Sequence, residues 1–585
     1  MNYGLRFFLS WALITFIGAV SFGQNDWQEK VDIDLLTRLN QQEVSFFVLL
    51  EDQISTSKAE QLTGKKVKTK FVFEALKSVV KESQAPVTTI LNNANVSYQS
   101  FWLVNCIKTK GDKTLIKALA SLPNVAKIMP NAKLQHAPVQ PNRVDPQLGR
   151  NGGIEWGITK IQADKLWDKG ITGEGVLIGG QDTGYEWDHP ALKNQYKGWD
   201  GSAVNHNYSW HDAIHGQVHI IYDTNPCGYD SQVPCDDHGH GTHTMGTMVG
   251  DDPDTSAIGV APGAEWIACR DMDQGWGDVS TYLECFEWFL APTDLNGENP
   301  NTDKAPHVIN NSWACPPSEN CKPSNFEVLR MAVENMRNAG VVVVVSAGNE
   351  GLQGCETVRY PAAIYGESFS IGASTSSDEV ANFSSRGNVT IDSSLRIKPD
   401  VIAPGVNVLS AIRNGKYGLK NGTSMAAPHV AGAIALLISA DPSLAGEVDY
   451  LEELLEYSAT PIFSADTCGG ILGTEVPNNA AGYGQINLWK ALEIIRPDLT
   501  KTEYLKTDQL RVYPNPFSDQ VTFITPETMG NCTFRITNML GQQVSKKTTH
   551  IGRLLDLDLS YLPNGSYIIT VDNKEHCFSG RVVKY

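Results

Sequence analysis

The pattern of hydrophobic and polar positions is most regular between about residues 154 and 495. Apolar, β-rich runs alternate there with helical patterns such as 324–338 and 424–440. A continuous apolar run is typical of a strand buried on both faces, and its alternation with helices predicts a parallel sheet. We therefore expect an α/β domain in this region. The runs are 175–180, 265–269, 306–311, 341–346 and 368–373.

The region before it has a different pattern. The run 44–50 predicts a strand, about 70–93 an amphipathic helix and 97–108 an alternating strand. A helix over 113–121 and a strand over 124–129 follow, so the order β-α-β-α-β predicts a small α+β sandwich. Residues 133–153 are rich in Pro, Gln, Asn and Gly, which predicts an exposed linker.

Beyond residue 510 the pattern becomes short alternating strands separated by Gly, Pro and Asn turns. This predicts a β-sandwich of about 75 residues, joined to the α/β domain by a polar linker over 498–509. The predicted strands lie in the segments LRVYPN, QVTFIT, CTFRIT, GSYIITV and RVVKY.

The longest apolar run, 7–22, follows Arg6 near the start of the chain. Ser21 and Gly23 supply small residues for a cleavage site, so we expect a secretory signal peptide over 1–23 and a mature terminus at Gln24. A retained membrane anchor is the alternative. No later segment is long and apolar enough to span a bilayer, so we expect no integral membrane segment in the mature protein.

Composition excludes some classes of protein. Of the 585 residues, 41% are hydrophobic and 19% charged, which indicates a globular protein. The net charge of −18 argues against nucleic acid as a partner. Residues 24–140 carry 15 basic and 11 acidic side chains, whereas 141–585 carry 31 and 54. The basic front unit either binds the acidic remainder electrostatically or differs from it by chance.

Eleven cysteines in an exported protein indicate disulfides. Cys227 and Cys235 are close in sequence, as are Cys315 and Cys321, and both pairs are plausible loop disulfides. The odd total leaves one thiol over, for which Cys106 is the candidate. Sequence alone does not determine the pairing.

Polar reactive side chains beside glycines mark three junctions of the α/β domain. Asp182 follows a predicted strand, His240 precedes a small-residue helix pattern, and Ser424 opens an apolar helix. Serine requires a base to become a nucleophile, histidine suits that role, and a carboxylate fixes its tautomer. Asn349, after the buried strand VVVVVSAG, is placed to donate to an oxyanion.

Each junction alone also has a purely structural explanation. Asp-Thr-Gly is a common turn, a His-Gly-rich stretch can bind metal or cap a helix, and Gly-Thr-Ser is a good N-cap. The order Asp, His, Ser, with Ala-Gly-Asn between the last two, is much harder to explain that way.

These segments resemble the signatures of the subtilisin-like serine proteases (peptidase S8), over roughly residues 155–495. The motif Tyr208–Asp212, in the insertion between Asp182 and His240, and the motif Met245–Met248 after it resemble the bacillopeptidase F-like branch. The resemblance implies that no cofactor is required for catalysis. The loop Asp251–Asp254 occupies the position of a calcium site of the family, which would make calcium a structural ion. The alternative is a solvated acidic loop that binds no cation. The implied site comprises the triad Asp182, His240 and Ser424, the oxyanion donor Asn349, and the substrate-binding residues Ser312, Trp313, Ala314 and Gly348.

The flanking units carry resemblances of their own. Residues 24–140 resemble an inhibitor-type propeptide, which implies an intramolecular chaperone removed by a cut between about 133 and 150. Residues 510–585 resemble the sorting domain of type IX secretion substrates, with a carbohydrate- or protein-binding β-sandwich as the alternative. The implied partners are protein or peptide substrates, the protein's own propeptide and the type IX machinery. Export through periplasm and outer membrane would leave a secreted or surface-attached protein.

The resulting prediction is a secreted serine endopeptidase made as a zymogen, with residues 141–497 as its catalytic domain. One alternative is a catalytically silent surface or adhesion protein on a protease scaffold. A second is an esterase or lipase, although Ser424 lies in Gly-Thr-Ser-Met-Ala rather than Gly-x-Ser-x-Gly. Glu350 either favours a basic substrate residue or is a surface glutamate without such a role.

Overall fold

A computed structural model provides the structure of this protein. It describes residues 27–38, 43–131, 133–135, 143–144, 153–218, 224–252, 257–313, 326–500, 511–524, 530–538, 542–552, 554–572 and 577–585. The predicted signal peptide, most of both predicted linkers, and the pair Cys315 and Cys321 lie outside these residues.

The front unit is a four-stranded antiparallel sheet with the strand order β2-β3-β1-β4. Its 29-residue helix α2 begins five residues before the predicted helix. The single strand predicted over 97–108 is wrong, because residues 102–105 form a turn between two paired strands. The elements are α1 (Ile33–Arg38), β1 (Val44–Leu50), α2 (Lys65–Asn93), β2 (Tyr98–Phe101), β3 (Cys106–Gly111), α3 (Lys113–Ala120) and β4 (Val125–Pro130).

The chain then reaches the central domain through two short strands, β5 (Lys133–Gln135) and β6 (Arg143–Val144). The central helices are α4 (Trp156–Lys160), α5 (Ala163–Trp167), α6 (Gly241–Val249), α7 (Val279–Leu290), α8 (Phe326–Asn338), α9 (Thr423–Ala440), α10 (Val448–Ser458), α11 (Leu488–Ile495) and α12 (Pro497–Thr500). The strands are β7 (Leu177–Asp182), β8 (Trp210–Asp212), β9 (Glu265–Arg270), β10 (Trp276–Asp278), β11 (Val308–Asn311), β12 (Val342–Ser346), β13 (Phe369–Ser374), β14 (Val401–Pro404), β15 (Val408–Ile412), β16 (Lys416–Lys420), β17 (Thr467–Cys468) and β18 (Ile471–Leu472).

Seven of these strands form one sheet in the order β14-β13-β12-β11-β7-β9-β8, and every pairing in it is parallel. Strand β12 shows why its sequence is continuously apolar. Val342 and Val344 pack into the core beneath α9, whereas Val343 and Val345 pack into the core beneath α7 and α8. The predicted parallel-sheet α/β domain is confirmed.

Helix α9 runs through the centre of the domain. The expectation that no segment after the signal peptide is long and apolar enough to span a bilayer is wrong for this helix. Among the described residues it is the one helix that passes by length and composition, and 94% of its 18 residues are buried inside the fold. Its hydrophobicity is therefore that of a core helix whose first turn carries Ser424.

Three disulfides occur among the described residues: Cys227–Cys235, Cys269–Cys285 and Cys355–Cys468. The first agrees with the predicted loop disulfide, and the other two join residues with no sequence signal for pairing. Cys106 is a buried free thiol in β3, as the odd total suggested.

The C-terminal region consists of a three-stranded sheet, β19-β20-β23, and a four-stranded sheet, β22-β21-β24-β25. Both are antiparallel and enclose a small core that includes Phe523, Phe534 and Ile569, which is consistent with the predicted β-sandwich. Two of its strands, β22 and β23, were not predicted. The strands are β19 (Arg511–Tyr513), β20 (Gln520–Ile524), β21 (Gly530–Asn538), β22 (Gln543–Ile551), β23 (Leu554–Asp558), β24 (Gly565–Asp572) and β25 (Cys577–Lys584).

Candidate active site

Asp182 is the last residue of β7, at the carboxyl end of the parallel sheet, and its side chain is fully buried. The Thr183 backbone N–H donates to Oδ1 at 2.7 Å, and the Thr244 hydroxyl donates to Oδ2 at 3.3 Å. These two donors fix the orientation of a carboxylate that is buried away from solvent. The carboxylate therefore presents a defined edge to the start of α6.

His240 lies at that edge, immediately before α6. Its Nδ1 is 2.7 Å from Oδ1 and 2.8 Å from Oδ2 of Asp182, which places the Nδ1 proton toward the carboxylate and leaves Nε2 as the basic nitrogen. Burial, reinforced by the charges of Lys420 and His238, lowers the pKa of His240 well below 6.5. The imidazole is therefore neutral at neutral pH and able to accept a proton.

Asp236 holds the two segments together, and sequence reasoning missed it. Its carboxylate accepts hydrogen bonds from the Thr183 hydroxyl at 3.0 Å, from the Gly239 backbone N–H at 2.6 Å, and from both the N–H and the hydroxyl of Thr242. It thus bridges the turn after Asp182 and the turn that carries His240. The available signal was an Asp four residues before the His, with Gly239 between them.

Ser424 lies in the first turn of α9, where backbone N–H groups lack helical partners. Gly422 precedes it at a φ of 150°, a conformation that a side chain would strain. The Ser424 Oγ donates to the Ser312 carbonyl at 3.2 Å, and the Ser312 Oγ donates to the Ser424 carbonyl at 3.1 Å. Helices α6 and α9 pack against each other, which brings the His240 and Ser424 segments to the same end of the sheet.

Asn349 follows β12 and faces the residue before Ser424. Its Oδ1 accepts from the Thr423 backbone N–H at 2.9 Å and from the Thr423 hydroxyl at 3.0 Å. Because the oxygen is used in this way, the side-chain Nδ2 is the group left to donate into the cleft. Gly348, at a φ of 107°, donates its N–H to the same hydroxyl.

The structure places only part of the predicted substrate strand. Ser312 is buried against Ser424, as described above, and Trp313 is buried with its ring centroid 3.9 Å from that of Tyr282 on α7. The Trp313 side chain therefore fills the core, and only backbone groups of this segment could face a substrate. Ala314 lies outside the described residues.

Two strands of the central domain pair with short strands of the chain that links the front unit to it. β5 pairs antiparallel with β10, with Leu134 opposite Gly277. β6 pairs antiparallel with β16, with Val144 opposite Gly418. The connecting chain thus reaches β10 first and then β16, the strand that leads to Ser424. Sequence reasoning missed both docking strands.

The insertion between Asp182 and His240 is anchored by a buried arginine. Arg270, paired with Asp182 in the sheet, is fully buried and donates to both carboxylate oxygens of Asp212 at 2.8 and 2.7 Å. It also donates to the Gly228 carbonyl, next to the Cys227–Cys235 disulfide. These contacts hold the insertion beside the end of β7.

The metal and specificity expectations find little support in the described residues. No group of three or more His, Cys, Asp or Glu residues there is arranged to hold a metal ion. In the acidic loop, the Tyr417 hydroxyl donates to Asp252 at 2.5 Å, and the next two residues, Pro253 and Asp254, lie outside the described residues. Glu350 accepts from the Asn349 N–H and the Ser385 hydroxyl, so its carboxylate serves its own loop.

Taken together, the site has a buried carboxylate, a neutral imidazole, a hydroxyl at a helix N-terminus and an amide donor. Groups of these types can move a proton from a hydroxyl, form a covalent acyl intermediate and stabilise an oxyanion without any cofactor.

Comparisons with known proteins identify two families. The subtilase family model matches residues 173–484, and the model of the secretion system C-terminal sorting domain matches residues 511–585. Bacillopeptidase F of Bacillus subtilis (strain 168) is 34% identical over 508 residues, which cover 81% of this chain. The major intracellular serine protease of the same organism is 34% identical over 287 residues, 48% of this chain, and its subtilisin E is 31% identical over 347 residues, 59% of this chain.

The matches differ in how much of each relative they cover. This chain spans 33% of the length of bacillopeptidase F. It spans 74% of the major intracellular serine protease and 73% of subtilisin E.

Proposed function

Because the chain belongs to the subtilase family of serine proteases, with a type IX sorting domain as its tail, we propose that it is an exported serine endopeptidase made as a zymogen. The family resemblance that the motifs predicted is confirmed, and the tail indicates secretion. The proposal covers the catalytic residues, the mode of activation and the export route.

In the proposed mechanism, His240 Nε2 takes the proton from Ser424 Oγ as that oxygen attacks the scissile carbonyl. Asp182, bonded to Nδ1, fixes the tautomer and stabilises the imidazolium. The Asn349 amide and the Ser424 backbone N–H donate to the oxyanion. His240 then protonates the leaving amine, and water hydrolyses the acyl-enzyme. Ser424 Oγ must leave the Ser312 carbonyl to make this attack.

One observation carries the proposal: the buried hydrogen bond between Asp182 and His240 Nδ1, 2.7 Å long, at the end of the sheet where Ser424 opens α9. A non-catalytic adhesion protein has no need to bury this carboxylate–imidazole pair beside a helix-opening serine. The same pair would also serve an esterase, so the type of bond cleaved is decided by experiment.

The test is hydrolysis of casein and of a matched ester by the secreted protein, with a fluorophosphonate adduct mapped by peptide mass spectrometry. We expect cleavage of peptide bonds in casein, one adduct on Ser424, and loss of both in Ser424→Ala. Folded and processed protein that neither cleaves nor labels would favour the surface-protein alternative. Turnover of the ester and labelling at Ser424 without any cleavage of casein would favour the esterase.

The zymogen proposal rests on the contacts of the front unit, residues 24–140. Glu287 on α7 accepts the backbone N–H groups of Trp102 and Leu103 at 2.6 and 2.9 Å. On α8, Asn335 donates to the Leu103 carbonyl at 2.7 Å. The apolar side chains of this turn share one core with those of α7 and α8. A unit held this tightly would stabilise the central domain while it folds.

The path of the connecting chain supports inhibition and a site of processing. β5 pairs with β10, and β6 pairs with β16, the strand that leads to Ser424, so the described strands on both sides of residues 136–142 are bound to the central domain. We expect the activating cut within or near this stretch, inside the predicted window of 133–150. N-terminal sequencing of the mature enzyme tests it, and Ser424→Ala should leave the precursor uncut. A mature terminus outside that window would contradict the assignment.

The tail proposal is that residues 510–585 direct passage through the outer membrane after export to the periplasm, followed by release or surface attachment. Deletion of residues 511–585 should leave processed, active protease in the periplasm. Normal export of the truncated protein would instead indicate an accessory binding module.

A further inference from the structure

A basic cavity lies beside the proposed catalytic histidine. Its volume is about 410 Å³, and it lies between the turn that carries His240 and the β15–β16 hairpin. Its charged or titratable lining residues are His238, Arg413, Lys416 and Lys420. None of the nine described residues that line it carries a carboxylate. This is a local exception on a chain with a net charge of −18.

Internal contacts hold Arg413 and Lys420 in position. The Arg413 Nη1 donates to the Asp237 carbonyl at 2.7 Å, and its side chain packs over Gly239. Lys420 is buried and donates to the Gly239 carbonyl, the peptide that precedes His240. Lys416 is exposed, and its Nζ makes no ion pair with any described residue. The nearby Glu186 carboxylate is occupied by the backbone N–H groups of Asn414 and Gly415.

The cavity lies on the side from which the leaving segment departs. In the proposed mechanism His240 protonates the leaving amine, so the residues after the scissile bond pass along the His240 side of Ser424. The chain that follows the front unit runs in the same direction. Its strand β5 pairs with β10, and the later strand β6 pairs with Gly418 and Leu419 of β16. Gly418 and Leu419 line the cavity.

We infer that this cavity selects substrates with an acidic side chain, Asp or Glu, among the first residues after the scissile bond. The inference rests on the proposed protease function and names a substrate preference for it. A carboxylate there meets Lys416 and Arg413 at the mouth and the buried Lys420 behind them. Basic side chains after the scissile bond would be disfavoured by the same charges.

The test uses pairs of fluorogenic peptides that are identical except for Glu or Gln at the first, second or third position after the scissile bond. Glu and Gln have nearly the same shape, so the ratio of their kcat/KM values reports charge. The self-processed, secreted protein is used at low salt and in 1 M NaCl. We expect a Glu/Gln ratio of about 3 to 10 at one or more positions, falling toward one at high salt.

Variants assign the preference to the cavity. Lys416→Glu and Arg413→Gln should each lower the Glu/Gln ratio about threefold, and the double variant should bring it to about one or below. The control is Lys169→Glu, which makes the same charge change as Lys416→Glu at an exposed position just after α5, outside the lining of this cavity. It should keep the wild-type ratio. Because Arg413 supports the turn before His240, Lys416→Glu is the decisive variant.

The outcomes are distinct. Turnover with a Glu/Gln ratio near one at all three positions overturns this inference and leaves the protease function standing. The same holds for a preference that survives Lys416→Glu or falls equally in Lys169→Glu. Protein that neither cleaves any peptide nor labels at Ser424 overturns both proposals.

Discussion

One carboxyl oxygen accepts two of the hydrogen bonds that join the front unit to the central domain. Glu287 Oε2 accepts the backbone N–H groups of Trp102 and Leu103, at the turn between β2 and β3. Burial raises the pKa of Glu287 to about 8, and Oε2 remains an acceptor in either protonation state. Glu287→Ala removes the acceptor and leaves two partly buried donors without it.

Each orphaned donor costs about 1–3 kcal/mol, so the substitution should weaken binding of the front unit by at least about 2 kcal/mol. That corresponds to an inhibition constant raised about 30-fold or more. Glu287→Gln keeps an oxygen that can accept from both N–H groups, so we expect a change under about fivefold. The pair of variants separates the acceptor from the charge.

The assay is inhibition of each mature enzyme by the same preparation of residues 24–135 added in trans. Because the inhibitor is identical throughout, its own folding free energy cancels in the ratio. Glu334→Ala on α8, where the carboxylate binds Arg330 at 3.0 Å, is the control and should be inhibited like wild type. An inhibition constant for Glu287→Ala within threefold of wild type would refute the reasoning. Equal losses in the Gln and Ala variants would show that charge, not the acceptor, matters.

Two further predictions concern pH and stability. The positive charge of Lys420 helps to lower the pKa of His240, so Lys420→Met should raise that pKa. The acid limb of the kcat/KM pH profile should then move to higher pH, while Lys420→Arg keeps it in place. An unmoved limb in Lys420→Met would contradict this. The Cys355–Cys468 disulfide closes a loop of 113 residues, whereas Cys227–Cys235 closes only 8. By the chain-entropy model, replacing Cys355 and Cys468 by Ser should lower the free energy of unfolding by up to about 4.7 kcal/mol. Replacing Cys227 and Cys235 by Ser should lower it by about half as much. Denaturant unfolding of the Ser424→Ala protein measures both losses, and the reverse order would exclude that model here.

The sequence determined the local features of the central domain. Continuous apolar runs indicated strands such as β12, because a strand between two helical layers must be apolar on both faces. Asp182 and His240 were predicted as partners, and the structure brings them into hydrogen-bond contact. The glycines and strand ends beside these two residues are features of the local sequence, so they could be recognised without knowledge of the fold. Whether they catalyse the reaction stays a prediction.

Polar edge strands were harder to predict. The sequence of β22 (Gln543–Ile551) is QVSKKTTHI, in which two lysines and three hydroxyl-bearing residues leave no clear apolar face. It forms because β21 beside it supplies backbone partners along its whole length. Such a strand is determined by its neighbour more than by its own side chains.

Only the tertiary structure decided the contacts that join distant parts of the chain. Residues 97–108 read as one strand, yet the turn at Trp102 and Leu103 is held by Glu287, 184 residues beyond Leu103. Cys355 forms a disulfide with Cys468, and Lys420 donates a hydrogen bond to the carbonyl of Gly239, the residue before His240. Local patterning records which face of an element is buried; it does not record which other element covers that face. The contacts of the front unit with α7 and α8, and the basic cavity, depend on which elements pack together, and long-range packing decides that.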